Sequence, residues 1–127
     1  MPNFRMKKLL YVVLFALCSC KTKIAVERKQ ELWDMIKSDD MYQIMEAVEE
    51  IRSSGDTSMV DALLYNMGDQ RVTTAMKNKG WSVYQLKVRA LAEITNITPP
   101  KKPTADVDST IILYYYAQLH RKLPSVK

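Results

Sequence analysis

Glycine is scarce in this chain: three in 127 residues, at Gly55, Gly68 and Gly80. Long runs that alternate β-branched and polar residues are also missing, which argues against a sheet. Histidine occurs once, at His120, and cysteine twice, at Cys18 and Cys20. One histidine 100 residues from two cysteines cannot supply a zinc-ligand set. Two cysteines separated by one serine form a strained pair for a disulfide. No nucleophile elbow, zinc-binding histidine pair, P-loop or dinucleotide fingerprint occurs. The residues that usually carry catalysis are therefore absent, and a non-catalytic protein without metal or cofactor is expected.

What the chain does have begins at its start. Met6-Lys7-Lys8 is positive, and Leu9 to Leu17 (LLYVVLFAL) is apolar without a break. Nine helical residues reach roughly 13–14 Å, against about 30 Å of bilayer hydrocarbon, so this run is too short to span a membrane. A positive segment followed by a short apolar run is the pattern of a secretory signal peptide. Met6 is an equally good start for it. Removing residues 1–19 takes away Arg5, Lys7 and Lys8 and no acid, so the net charge of +5 falls to +2 over 108 residues. That small charge gives no footing for nucleic-acid binding.

Leu17-Cys18-Ser19-Cys20 resembles a bacterial lipobox, with a branched apolar residue three before the cysteine and a small residue directly before it. The resemblance implies that Cys20 is lipidated and becomes the mature N-terminus, while Cys18 leaves with the signal. Cys18 itself is an unusual residue for the middle position. An ordinary signal-peptidase site with incidental cysteines is the other reading. The lipobox implies a protein anchored by lipid in the bacterial envelope, at the periplasmic side of the outer membrane.

The remaining chain reads as four or five amphipathic helices. Ile24 to Lys37 carries the stripe Leu32, Trp33 and Ile36. Asp39 and Asp40 offer an N-cap to a second helix, where Met41, Ile44, Met45, Val48 and Ile51 share one face before Gly55. Asp56-Thr57-Ser58 caps a third, with Val60, Leu63, Leu64 and Met67 as its stripe, predicted to pack antiparallel to the second. Ser82 and Gln85 form the S-x-x-Q of a capping box. Val83, Leu86, Ala90, Leu91 and Ile94 line that helix, and Asn96 and Pro99-Pro100 end it. Asp108 caps a last helix over Ser109 to Lys122, with His120 near its C-terminus. Between Asp69 and Lys79 two readings stay open: a short helix through Val72, Ala75 and Met76, or irregular chain.

The halves look alike. Tyr42-Gln43-Ile44 recurs as Tyr84-Gln85-Leu86, Ala47 to Ile51 as Ala90 to Ile94, and Asp56 to Val60 as Asp108 to Ile112. With Asp69-x-x-Val72 and Ala75, this resembles a HEAT-type helical repeat protein over about Asp40 to Leu123. The resemblance implies an all-α fold, a short right-handed superhelix of about two helical hairpins behind an N-terminal helix. Residues 1–19 are then the signal, 20–38 the lipidated N-terminus and leading helix, and 39–123 the repeat domain. Such families build binding surfaces rather than active sites.

Two features offer binding. Tyr114-Tyr115-Tyr116 span about 200° of helix, so at least one ring is expected at the surface. Lys77, Lys79 and Trp81 precede the Ser82 helix start, whose free N–H groups would attract an anion. Glu46, Glu49 and Glu50 read as a solvated face. The expected function is protein interaction in the envelope, through a partner of unknown identity. An envelope inhibitor or immunity-type protein, and a glycan- or anion-binding module, are the alternatives.

Overall fold

A computed structural model describes residues 23–74 and 80–124. These residues form an all-α fold with no strand; one isolated antiparallel bridge joins Val72 to Ser82. The helices are α1 (Val26–Ile36), α2 (Met41–Ser54), α3 (Val60–Leu64, entered through a 3₁₀ turn at Thr57–Met59), α4 (Val83–Thr95) and α5 (Ser109–Gln118). Cys18 and Cys20 lie outside the described residues.

The predicted caps hold. Asp40 accepts from the Tyr42 N–H, Asp56 from Ser58, and Asp108 from Thr110. Gly55 closes α2 with φ at 65°, a left-handed conformation that glycine adopts without a Cβ clash. Asn96 closes α4 in the same way. The third helix is shorter than its stripe suggested. It stops at Leu64, and Tyr65 to Gly68 turn away, with Asn66 left-handed. Met67 is still buried. The last helix also ends early, at Gln118. His120 lies beyond it, exposed and left-handed, so it is not a residue of the final helical turn.

Side-chain contacts set the direction of each helix. Arg28 at the start of α1 pairs with Glu50 late in α2, so α1 and α2 are antiparallel. The segment leading into α3 starts beside α1, where Asp56 accepts from the Ile24 N–H, and ends where the Tyr65 ring meets Trp33 edge-on at 6.2 Å. It therefore runs back antiparallel to α2, as expected from the short connection. Arg52 reaches Glu93 at the far ends of α2 and α4. At the near ends Arg71 joins the two: it donates to the Asp39 carbonyl, and its own carbonyl accepts from Val83. So α2 and α4 run parallel, and they form the most extensive packing in the fold.

The two-hairpin layout does not hold in the second half. Val107 lies against Gly68, the buried Tyr84 phenol feels the Asp108–Lys101 pair, Tyr116 donates to the Leu64 carbonyl and Arg121 pairs with Asp61. Helix α5 is thus antiparallel to α3 and parallel to α4. Residues 96–108 carry Pro99, Pro100 and Pro103, and they cross back along α4 instead of turning tightly. A crossover of this length is what two parallel neighbours require. The Asp69-x-x-Val72 stretch starts no helix within its described residues; it is held extended by the Val72–Ser82 bridge.

The core is one cluster of apolar side chains from all five helices, with Leu32, Ile51, Leu63, Leu91 and Ile111 at its centre. An offset of 43 places Ile44, Met45, Ala47, Val48 and Ile51 on Lys87, Val88, Ala90, Leu91 and Ile94, and every member is buried. The tyrosine match at an offset of 42 fails: Tyr42 is 55% exposed and Tyr84 fully buried. One residue of slip rotates a helical side chain by about 100°, enough to turn one ring outward and the other inward.

Candidate functional site

The start of α4 was the expected anion site, and its donors are already used. Val83 donates to the Arg71 carbonyl at 2.9 Å, Tyr84 to Asp69 at 2.9 Å, and Gln85 to the Ser82 hydroxyl at 3.1 Å. The fourth, Leu86, makes the first helical bond, to Ser82. The extended 69–72 segment thus does the work that an anion would do at a bare helix end. Only half of the capping box forms. The Gln85 side chain turns instead toward the 96–108 crossover, where its nitrogen lies 3.5 Å from the Pro103 carbonyl. Its amide oxygen is buried with no hydrogen-bond partner. Lys77 and Lys79 lie outside the described residues.

That turn of Gln85 opens onto a groove of about 720 Å³ between α4 and the crossover. Val88 and Ala92 line its helix side, and Pro99 and Pro103 its loop side. Trp81 stands at one end, half-buried, with the Arg89 guanidinium 5.6 Å from its ring centre. Lys102 is exposed on the rim. Charged groups below the rim are linked together: Arg89 donates to Glu93, Arg52 to Glu93 and Glu49. Glu93 is held below the usual carboxylate range, first by its bond from Arg52. Glu50 is lowered likewise, by Arg28. Glu49 and Glu50, read as a solvated face, are therefore ion-pair partners; Glu46 is exposed.

The tyrosine triplet divides as its angular spread required. Tyr115 and Tyr116 are buried, donating to the Ile97 and Leu64 carbonyls at 2.8 and 3.0 Å. Burial pushes both phenols up. Tyr114 is half-buried and meets Tyr115 edge-on, beside Leu113, which is half exposed. This face of α5 and the groove lie on different elements, so the triplet and Trp81 do not converge on one site.

Lys87 was missed. It is 1% exposed and donates to the Tyr65 carbonyl at 2.6 Å, with the Asn66 carbonyl at 3.5 Å. Together with Tyr116 it caps the C-terminus of α3, where a positive group suits the helix dipole. Desolvation brings its pKa down to about 8, against the opposing pull of Asp69. Its spacing was the available signal: Lys87 sits four after Val83 and seven before Ile94, inside the apolar stripe.

Among the described residues, no group of histidine, cysteine, aspartate and glutamate side chains is arranged to hold a metal ion, and no helix is long and apolar enough to cross a membrane. Comparison with family models, with curated proteins and with solved structures finds no match for this chain.

Proposed function

We propose that this chain is a lipid-anchored protein of the bacterial envelope that binds another protein and performs no chemistry of its own. The lipobox at Cys20 supports the anchor. The observation that carries the binding role is the groove along α4. It has apolar walls, a tryptophan at one end and charged groups on its rim, a composition common at protein-binding surfaces. Its volume falls within the usual range of ligand clefts. The anion-binding alternative loses its main support, because the α4 N–H groups have partners inside the fold.

Photo-crosslinking in intact cells tests the reading. A photoreactive residue at Ala92, in the groove, should yield one discrete protein adduct. The same residue at Glu46, on the exposed face of α2, should not. Absence of a discrete adduct from Ala92, or an identical pattern from both positions, would overturn the proposal.

A further inference from the structure

We infer that the groove along α4 takes an extended peptide segment in which a carboxylate side chain is flanked by apolar ones. This rests on the interaction reading above and narrows it to a chemistry. The two walls offer unequal hydrogen-bonding groups. On the crossover wall Pro99 and Pro103 have no N–H, and the Pro103 carbonyl is an acceptor held only by a long 3.5 Å contact from the Gln85 side chain. The buried Gln85 amide oxygen is a second acceptor and has no partner. An occupant that answers the Pro103 carbonyl brings an N–H donor, as an extended backbone does at every residue except proline.

The charges select the side chain. Glu49, Arg52, Glu93 and Arg89 balance one another within their own network. Lys102 is left as the groove's unpaired charge among the described residues. Arg89 engages Glu93 through its Nε alone, so its terminal nitrogens, above Trp81, remain available to a carboxylate. One carboxylate among apolar residues therefore answers the cationic rim, while its neighbours bury against Val88, Ala92 and the prolines. A sugar ring would need a face of Trp81, and the Arg89 guanidinium lies over one of them.

Panning a random nonapeptide display library against the full-length protein in detergent tests this. Enriched peptides should carry Asp or Glu between apolar residues. Their affinity should fall at least tenfold with Lys102→Glu, fall again with Arg89→Gln, weaken with added salt, and survive Tyr42→Ala on the exposed start of α2. Lys102 is exposed, so folding is not at stake in its variant. Enrichment of basic or uncharged peptides, no enrichment at all, or binding indifferent to Lys102→Glu would overturn the inference. An Ala92 adduct in cells together with such a result removes the peptide chemistry and leaves the interaction reading standing. Loss of the adduct as well removes both.

Discussion

Lys87 shows how one residue couples burial to pH. Its ammonium is desolvated inside the core, and two carbonyls of the turn after α3 are its hydrogen-bond partners. Asp69 and Arg71 are the charged groups that act on it, one in each direction. Below about pH 8 the folded and unfolded chains both hold the proton, and this residue contributes no pH dependence. Between about 8 and its ordinary value of 10.5 the unfolded chain binds a proton that the folded chain has lost. Stability therefore rises with pH through this window, by about 3 kcal/mol in full. From about pH 10 the buried phenols of Tyr84, Tyr115 and Tyr116 act the other way, because the unfolded tyrosines ionise first. Urea unfolding from pH 7 to 11 should show a maximum near 10. In Lys87→Met the rise between 8 and 10 should vanish. A rise unchanged in that variant would assign it to another group. The sequence held the position of this lysine in the stripe, but not its burial, because a lysine at the edge of an apolar face usually extends its ammonium to water.

At the scale of elements, local rules were legible and tertiary ones were not. Asp40, Asp56, Ser82 and Asp108 all cap where their side-chain chemistry predicts. A cap depends on two or three neighbouring residues, so the sequence contains the whole cause. Helix ends behaved differently. The third helix stops at Leu64 because the Tyr65–Gly68 turn is held by Lys87 from α4, and the Leu64 carbonyl by Tyr116 from α5. Neither contact is visible from the local sequence. The close packing of α2 on α4 was better foreshadowed, since Ala47 and Ala90 fall at matching places and both are fully buried. Leucine at either position adds volume where no void is expected. Ala47→Leu and Ala90→Leu should each cost about 1–3 kcal/mol, read as a lower denaturation midpoint at unchanged slope. A neutral result at both would mean that the α2–α4 contact yields easily.

For the whole molecule, the all-α class followed from scarce glycine and helical stripes, whereas the chain path did not. Similar motifs in two halves suggested two hairpins, yet the proline-bearing crossover reverses the direction of α5, and the groove exists only because of that crossover. Trp81 was singled out for the wrong neighbour, a helix start, and its actual neighbours are Arg89 and the loop wall. The crossover could not be inferred from its own residues, since prolines end α4 in either topology. The proposed placement at a membrane also concerns the whole chain. Near the start of the described residues, the Ile24 N–H is bound to the Asp56 carboxylate at 3.1 Å. Burial raises the Asp56 pKa, but bonds from Ser58 and Ile24 and the charge of Lys29 outweigh it and leave the carboxyl at about 2. Ile24 thus stays tied throughout the physiological range. Three residues, Lys21 to Lys23, separate it from Cys20, so the four steps reach at most about 14 Å. With lipid on Cys20, the end of the bundle that holds Ile24 and Asp56 lies close to the bilayer. Cys20→Ala should abolish incorporation of a labelled lipid precursor and leave unprocessed protein, while Cys18→Ala should be labelled and processed normally. Nitroxide labels at Thr57 and Asp39, at opposite ends of α2, separate anchoring from orientation. The Thr57 label should report proximity to lipid and the Asp39 label should not. Label incorporated in the Cys20 variant would refute the anchor. Equal proximity of both nitroxides in a correctly lipidated protein would refute the orientation alone.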